Sequence, residues 1–179
     1  MITTGWPYSN GAHTEVLDLL NPTSNCAPGL EFPVEIQGAT GGIVDETPII
    51  CGGWNGLTRI KECFKLVDNN WQPAGMLETG QSDMGTGNVV IEKQLLLSGG
   101  YDGSRLYQTS LLDTTSTLKL KDMPNGISDH CMVKLDQSKI MLIGGFDDEN
   151  GRRSETLIFD VENQQWSDGP RMRILGRIG

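Results

Sequence analysis

An all-β fold made of repeated four-stranded sheets is what this sequence predicts, and three observations predict it. First, an apolar run closing on Gly-Gly and an aromatic residue occurs three times. The copies read Ile49-Ile50-Cys51-Gly52-Gly53-Trp54, Leu95-Leu96-Leu97-Ser98-Gly99-Gly100-Tyr101 and Met141-Leu142-Ile143-Gly144-Gly145-Phe146, with a degraded copy, Met1-Ile2-Thr3-Thr4-Gly5-Trp6, at the N-terminus. Second, the last glycines fall at 5, 53, 100 and 145, steps of 48, 47 and 45 residues; a fixed period in this range marks a repeat architecture. Third, the apolar pattern is period two or continuous and never 3.6. Runs such as Val89-Val90-Ile91 and Leu157-Ile158-Phe159 are short and bounded by turn residues, as strands are.

Each unit resolves into four strands. Strand a is expected at about 36–44, 83–91 and 129–136, and strand b ends on the glycine pair. Strand c is expected at about 14–20, 61–67, 107–113 and 155–161. Strand d opens on a large residue, Trp71 or Trp166, with Leu118 and Cys26 in the equivalent places. Counted from the last glycine, that residue comes 18 positions later for Trp71 and Leu118, and 21 later for Trp166 and Cys26. The extra residues of the fourth unit fall in the loop 147–153. The units span about 1–35, 36–82, 83–128 and 129–172 of one region, 1–179, with 173–179 opening a further strand.

These features resemble the kelch repeat family. The match rests on Gly52-Gly53, Gly99-Gly100 and Gly144-Gly145, on Phe64 and Phe159 in strand c, and on Trp71 and Trp166, each followed by a methionine (Met76, Met172). Thr4-Gly5 in the first copy, and Leu118 and Cys26 in place of tryptophan, depart from the pattern. The resemblance implies a kelch-type β-propeller, in which glycine pairs and tryptophans are architecture. The glycines end a strand where a side chain would obstruct the chain, and the tryptophans pack between adjacent blades. It also implies a protein-interaction module. In many kelch proteins the propeller recruits substrates to a ubiquitin ligase through an attached BTB domain, which these residues do not include.

Two arrangements of the units fit. The tail 173–179 supplies strand a of the first blade and closes a four-blade ring, or the chain is part of the six-blade propeller that the resemblance implies. The tail is shorter than an internal strand a, which favours the second. Open blade edges would then invite self-association.

Composition limits the partners. The formal charge is −9 and the 14 basic residues are scattered, so a nucleic-acid backbone or an anionic membrane is not an expected partner. No apolar run approaches the roughly 18 residues of a membrane-spanning helix, and the N-terminus carries no charged and apolar leader. Cysteines stand at 26, 51, 63 and 131 without a Cys-x-x-Cys pair, which gives no zinc signature. Cys51 and Cys63 flank one glycine turn and can face each other across neighbouring strands. Two buried thiols is the simpler reading; a disulfide, with a secreted location, is the other. No Asn-x-Ser/Thr acceptor site supports secretion, so a cytoplasmic location is favoured.

No cofactor or metal is expected. His13 and His130 are isolated in sequence and are read as polar residues at strand starts. A galactose-oxidase-like copper enzyme is the alternative, because that class also uses kelch-type blades; it would draw on these histidines and on Tyr8, Tyr101 and Tyr107. A structural extracellular repeat domain is a further alternative.

The face formed by the b–c and d–a loops is the candidate binding surface. An aromatic follows the glycine in every unit (Trp6, Trp54, Tyr101, Phe146), and arginines follow in three (Arg59, Arg105, Arg152 with Arg153). Such residues anchor protein interfaces. Replacing Tyr101 and Arg105 together by alanine is therefore expected to abolish partner binding and leave the thermal midpoint nearly unchanged.

Overall fold

Short strands joined by tight turns account for nearly all regular structure, as the period-two pattern requires. The structure, a computed structural model, describes residues 12–18, 20–21, 23, 25–82 and 87–173, with the backbone of residues 2–3. Trp6, Tyr8, the glycine at 5 and the tail 174–179 lie outside the described residues.

Sheet I holds β1 (Ile2–Thr3), β2 (Thr14–Val16) and β3 (Ala27–Pro28). Sheet II follows as β4 (Thr40–Val44), β5 (Thr47–Cys51), β6 (Glu62–Val67) and β7 (Asn70–Met76). Sheet III is β8 (Asn88–Ile91), β9 (Gln94–Ser98), β10 (Thr109–Leu112) and β11 (Thr117–Lys119). Sheet IV begins with β12 (Cys131–Lys134) and β13 (Lys139–Ile143). After a two-stranded hairpin, β14 (Phe146–Asp147) and β15 (Gly151–Arg152), it ends with β16 (Thr156–Asp160) and β17 (Gln165–Asp168). Sheets II, III and IV are antiparallel meanders in the order a–b–c–d, as expected. The longer loop expected at 147–153 folds as the β14–β15 hairpin.

Sheets stack face to face, and this explains the continuous apolar runs. Leu95, Leu96 and Leu97 are 0%, 0% and 1% exposed, although consecutive residues of a strand point to opposite faces. Leu95 and Leu97 join Ile49, Cys51 and Cys63 of sheet II. Leu96 joins Ile140, Leu142 and Phe159 of sheet IV. A third cluster sets Phe32 and Ile36 against Ile50 and Ile60, with Phe64 and Trp71 packed on it. Burying each large side chain contributes roughly 1.5–3 kcal/mol. The a strands β4, β8 and β12 touch in succession, so they lie on the same side of the stack.

The glycine pairs do the steric work assigned to them. Gly52 and Gly99 have φ of 67° and 69°, in the region side-chain-bearing residues avoid. A Cβ at Gly99 would also run into the backbone oxygen of Ile127.

The tryptophan positions need one correction. Trp71 lies opposite Leu66, and Trp166 opposite Phe159. At the equivalent place in sheet III, Leu112 faces Thr117, while Leu118 faces Leu111 and is 57% exposed. The b–c connection of sheet III is one residue shorter than that of sheet II. Counting from the glycine therefore overshoots by one, and Thr117 takes the tryptophan's place. Trp166 stacks on Phe159 with ring centroids 4.6 Å apart, and its Nε1 donates to the Lys121 carbonyl at 3.0 Å. Trp71 meets Phe32 edge-on at 4.8 Å.

Cys51 and Cys63 pair across β5 and β6 and are joined as a disulfide, not left as two buried thiols. Cys26 and Cys131 are free. The same register in sheet III carries Ser98 and Thr109, whose hydroxyls hydrogen-bond at 3.3 Å. His130 is also more than a polar residue at a strand start. It is 2% exposed, and neither ring nitrogen has a hydrogen-bond partner. Burial holds its pKa down to about 4, against a weaker opposing pull from the Ser98 backbone. His13, before β2, is exposed.

Candidate functional site

After each glycine pair the chain turns outward and returns, and the arriving d–a segment pairs with it. Gln37 bridges Trp54, Ser82 bridges Tyr101, and Ser128 bridges Phe146. The b–c and d–a loops thus share one face, as expected from the meander. Within each b–c loop the aromatic lies directly across from an arginine: Trp54 from Arg59, Tyr101 from Arg105, and Phe146 from Arg152. Arg59, Arg105 and Arg152 therefore hold equivalent places in three consecutive units.

Two of these arginines interleave with the aromatics in a ladder that crosses the sheets. The Arg59 guanidinium carbon lies 5.1 Å from the Trp54 ring centre and 4.6 Å from that of Tyr101. Arg105 lies 5.0 Å from Tyr101 and 4.5 Å from Phe146. Each arginine thus sits between its own aromatic and that of the next sheet, where the negative ring faces attract the cation. Each also reaches the next d–a segment: Arg59 Nε donates to Ser82 Oγ at 3.2 Å, and Arg105 Nε to Ser128 Oγ at 3.3 Å.

Arg105 holds a carboxylate as well. Its Nη1 donates to Asp148 Oδ1 at 2.7 Å, and its backbone N–H donates to Oδ2 at 3.0 Å. That backbone donation, followed by the guanidinium, holds the Asp148 pKa below the usual carboxylate range. The ladder revises the expectation for Tyr101 and Arg105. They join sheets III and IV, so removing them together lowers stability as well as altering the face.

In sheet IV the pattern splits. Arg153 is drawn inward, its side chain 9% exposed, and donates from Nη1 to Asp147 Oδ2 at 2.8 Å. Burial raises the Asp147 pKa. Four contributions together outweigh it and hold the carboxyl below its usual range: the Asn150 backbone N–H, the Asn150 side chain, the Arg153 charge and the Glu149 backbone N–H. Arg152 is exposed, and its side chain makes no hydrogen bond or ion pair among the described residues. Beside it is a cavity of about 420 Å³ that also reaches Asn125, Asn150, Arg153 and Arg171. Arg171 is anchored there, its Nε to Ser154 Oγ and its Nη2 to Glu155 Oε1, both at 2.9 Å.

Of the anchors read from sequence, Trp54, Arg59, Tyr101, Arg105 and Phe146 come together in the ladder. Arg152 and Arg153 share a separate pocket, and Trp6 is outside the described residues. Sequence reasoning missed Asp147 and Asp148. The Arg105–Asp148 contact spans 43 positions, and no local pattern marks such a pair. Among the described residues, no group of three or more His, Cys, Asp or Glu is placed to hold a metal ion. Of the residues the copper reading would draw on, Tyr101 is held between two arginines and His130 is buried in the core.

Comparison with known proteins agrees with this geometry. A family model described as the kelch motif matches residues 136–173, which take in β13 to β17. No curated protein matches the chain in sequence. The solved structure of YjhT superposes with a TM-score of 0.76 and 14% identity, covering 90% of this chain and 60% of that one. The chain thus spans 60% of the length of that structure, and at such low identity the likeness speaks to fold alone. The chain carries a kelch motif and is built from kelch-type propeller blades.

Proposed function

We propose that this repeat module binds a protein partner through the face made by its b–c and d–a loops, and performs no chemistry of its own. The observation that carries the reading is the ladder from Trp54 to Phe146. It fixes the loops of three blades as one platform while leaving their tips in solvent. Leu57, at the tip of the sheet II loop, is 88% exposed. Half-buried aromatics backed by fixed arginines are the residue types that anchor interfaces, and a platform already ordered loses little entropy on binding.

Site-directed photocrosslinking tests it. A photoreactive residue at Leu57 is expected to capture a defined protein, whereas one at Leu118, exposed on strand d, captures none. Capture at Leu118 with none at Leu57 would overturn the reading.

The Cys51–Cys63 bond supports a second reading, that the module works in an oxidising compartment, where disulfides persist. Protein taken directly from its source should then take up two alkyl groups when denatured without reductant and four after reduction, because Cys26 and Cys131 are free. Four in both cases would refute it.

A further inference from the structure

We propose that Asn55 is a site of self-modification, at which the b–c loop of sheet II converts the asparagine to aspartate and isoaspartate by ring closure with Gly56. The inference concerns the chemistry of this loop and stands whether or not the face binds a partner.

The chain contains four Asn-Gly pairs, beginning at 10, 55, 125 and 150, and the last three lie in the described residues. In such a pair the glycine nitrogen is positioned to attack the asparagine side-chain carbon, because no side chain stands over it and the reaction is intramolecular. Three conditions then set the rate. The glycine N–H must be open to base, the backbone must have room for the ring, and the charge developing on Oδ1 must be stabilised.

The sheet II loop meets all three. Gly56 is exposed, its N–H has no hydrogen-bond partner among the described residues, and a Cβ built on it would meet nothing within 4 Å. Asn55 Oδ1 accepts from two backbone N–H groups, Leu57 at 3.0 Å and Thr58 at 2.8 Å. Both donors point at the oxygen that becomes the oxyanion, at the spacing that stabilises one. The leaving group, Asn55 Nδ2, is not held by any hydrogen bond among the described residues.

The other two pairs are protected. Asn150 Nδ2 donates to Asp147 Oδ2 at 3.2 Å, and Gly151 is paired with Asp147 in the β14–β15 hairpin. Gly126 is buried, and the space beside its Cα is filled by the Arg105 carbonyl and the Tyr107 ring.

The reaction needs only hydroxide and water. Hydroxide takes the Gly56 N–H proton, the nitrogen bonds to Asn55 Cγ, and the Cγ–Nδ2 bond breaks as Nδ2 gains a proton and leaves as ammonia. Water then opens the cyclic imide. Attack at Cγ gives aspartate; attack at the Asn55 main-chain carbonyl gives isoaspartate, with the main chain running through Cβ and Cγ. Either product adds a negative charge beside the exposed Leu57, and isoaspartate also lengthens the main chain between Trp54 and Arg59.

The test incubates the full chain at mildly alkaline pH, folded and in urea, and follows its digests by liquid chromatography and mass spectrometry. These separate the two products and read the mass gained when amide becomes acid. In the folded chain Asn55 should convert at least about tenfold faster than Asn125 and Asn150, and in urea the three rates should converge. Gly56→Ala should slow conversion at Asn55 at least about tenfold. Both aspartate and isoaspartate should appear at position 55.

Equal rates at the three sites in the folded chain would overturn the proposal, as would faster conversion at Asn125 or Asn150. Aspartate without isoaspartate would mean direct hydrolysis and overturn the ring closure, and so would an undiminished rate in Gly56→Ala. Gly56 has a φ of 91°, which strains alanine; if that variant loses its fold, the folded and urea rates of the parent chain still decide.

Discussion

Arg105 and Arg152 stand at the same place in adjacent blades and have different fates. Arg105 is held between Tyr101 and Phe146, donates to Ser128, and pairs with Asp148. Arg152 extends into solvent at the rim of a pocket. Their local sequences do not explain this, because each follows an aromatic and a turn. The difference lies in what the next blade brings: sheet IV presents Phe146, Ser128 and Asp148 to Arg105. The lesson is that a motif residue in a repeat protein takes its role from its neighbour's loops. Arg105 fastens two blades because sheet IV supplies its partners.

The largest expected effect sharpens the contrast between Asp147 and Asp148. Asp147→Asn strips the buried Arg153 of its nearer counter-charge and leaves only Glu155 at 3.9 Å; breaking such a buried pair costs about 3 kcal/mol or more. Asp148→Asn affects a half-exposed pair and should cost about 1 kcal/mol or less. Urea unfolding of both variants measures the gap, and equal losses would break the distinction between the inward and outward carboxylates.

Next in size is a pH effect at the same blade junction. His130 is buried without hydrogen-bond partners between sheets III and IV, and its folded pKa lies near 4 against an ordinary 6.5. The folded state therefore favours the neutral ring. The unfolded chain takes up the proton first, so stability is whole above about pH 6.5 and falls as the pH drops towards 4. The loss reaches about 3 kcal/mol at most. His130→Leu should unfold with a midpoint that barely changes between pH 6.5 and 5, where the parent's declines. Parallel slopes would contradict this.

Smaller still is the ladder itself. Arg59→Gln removes contact with two rings and a hydrogen bond to Ser82, for an expected loss of about 1–2 kcal/mol. A smaller change, within about 0.5 kcal/mol, is expected for Leu118→Thr, because Leu118 is exposed and not at the tryptophan position.

Much of the fold was legible because repetition multiplies weak signals. One Gly-Gly says little, whereas three in register with apolar runs place strands b and c to within about two residues. Trp71 and Trp166 were placed between blades because they are large and recur. The substitution at Thr117 was obscured because one fewer residue in the loop shifts the count, and only strand pairing reveals it. His130 read as a polar residue at a strand start because its burial comes from Gly99 and Gly145, which let the backbone close over the ring. The site was half legible. The aromatics and arginines stood out, but the cation–π contacts between blades and the Asp148 pair join residues more than 40 positions apart. Sequence alone could not show that the same residues were already committed to each other.

The most direct measurement is equilibrium urea unfolding of Arg105→Gln and Arg152→Gln beside the parent chain. Arg105→Gln should lose about 1–3 kcal/mol, since two ring contacts, an ion pair and a hydrogen bond go together. Arg152→Gln should stay within about 0.5 kcal/mol of the parent. Equal losses, or a larger loss at Arg152, would contradict the division between the arginine that fastens two blades and the exposed one.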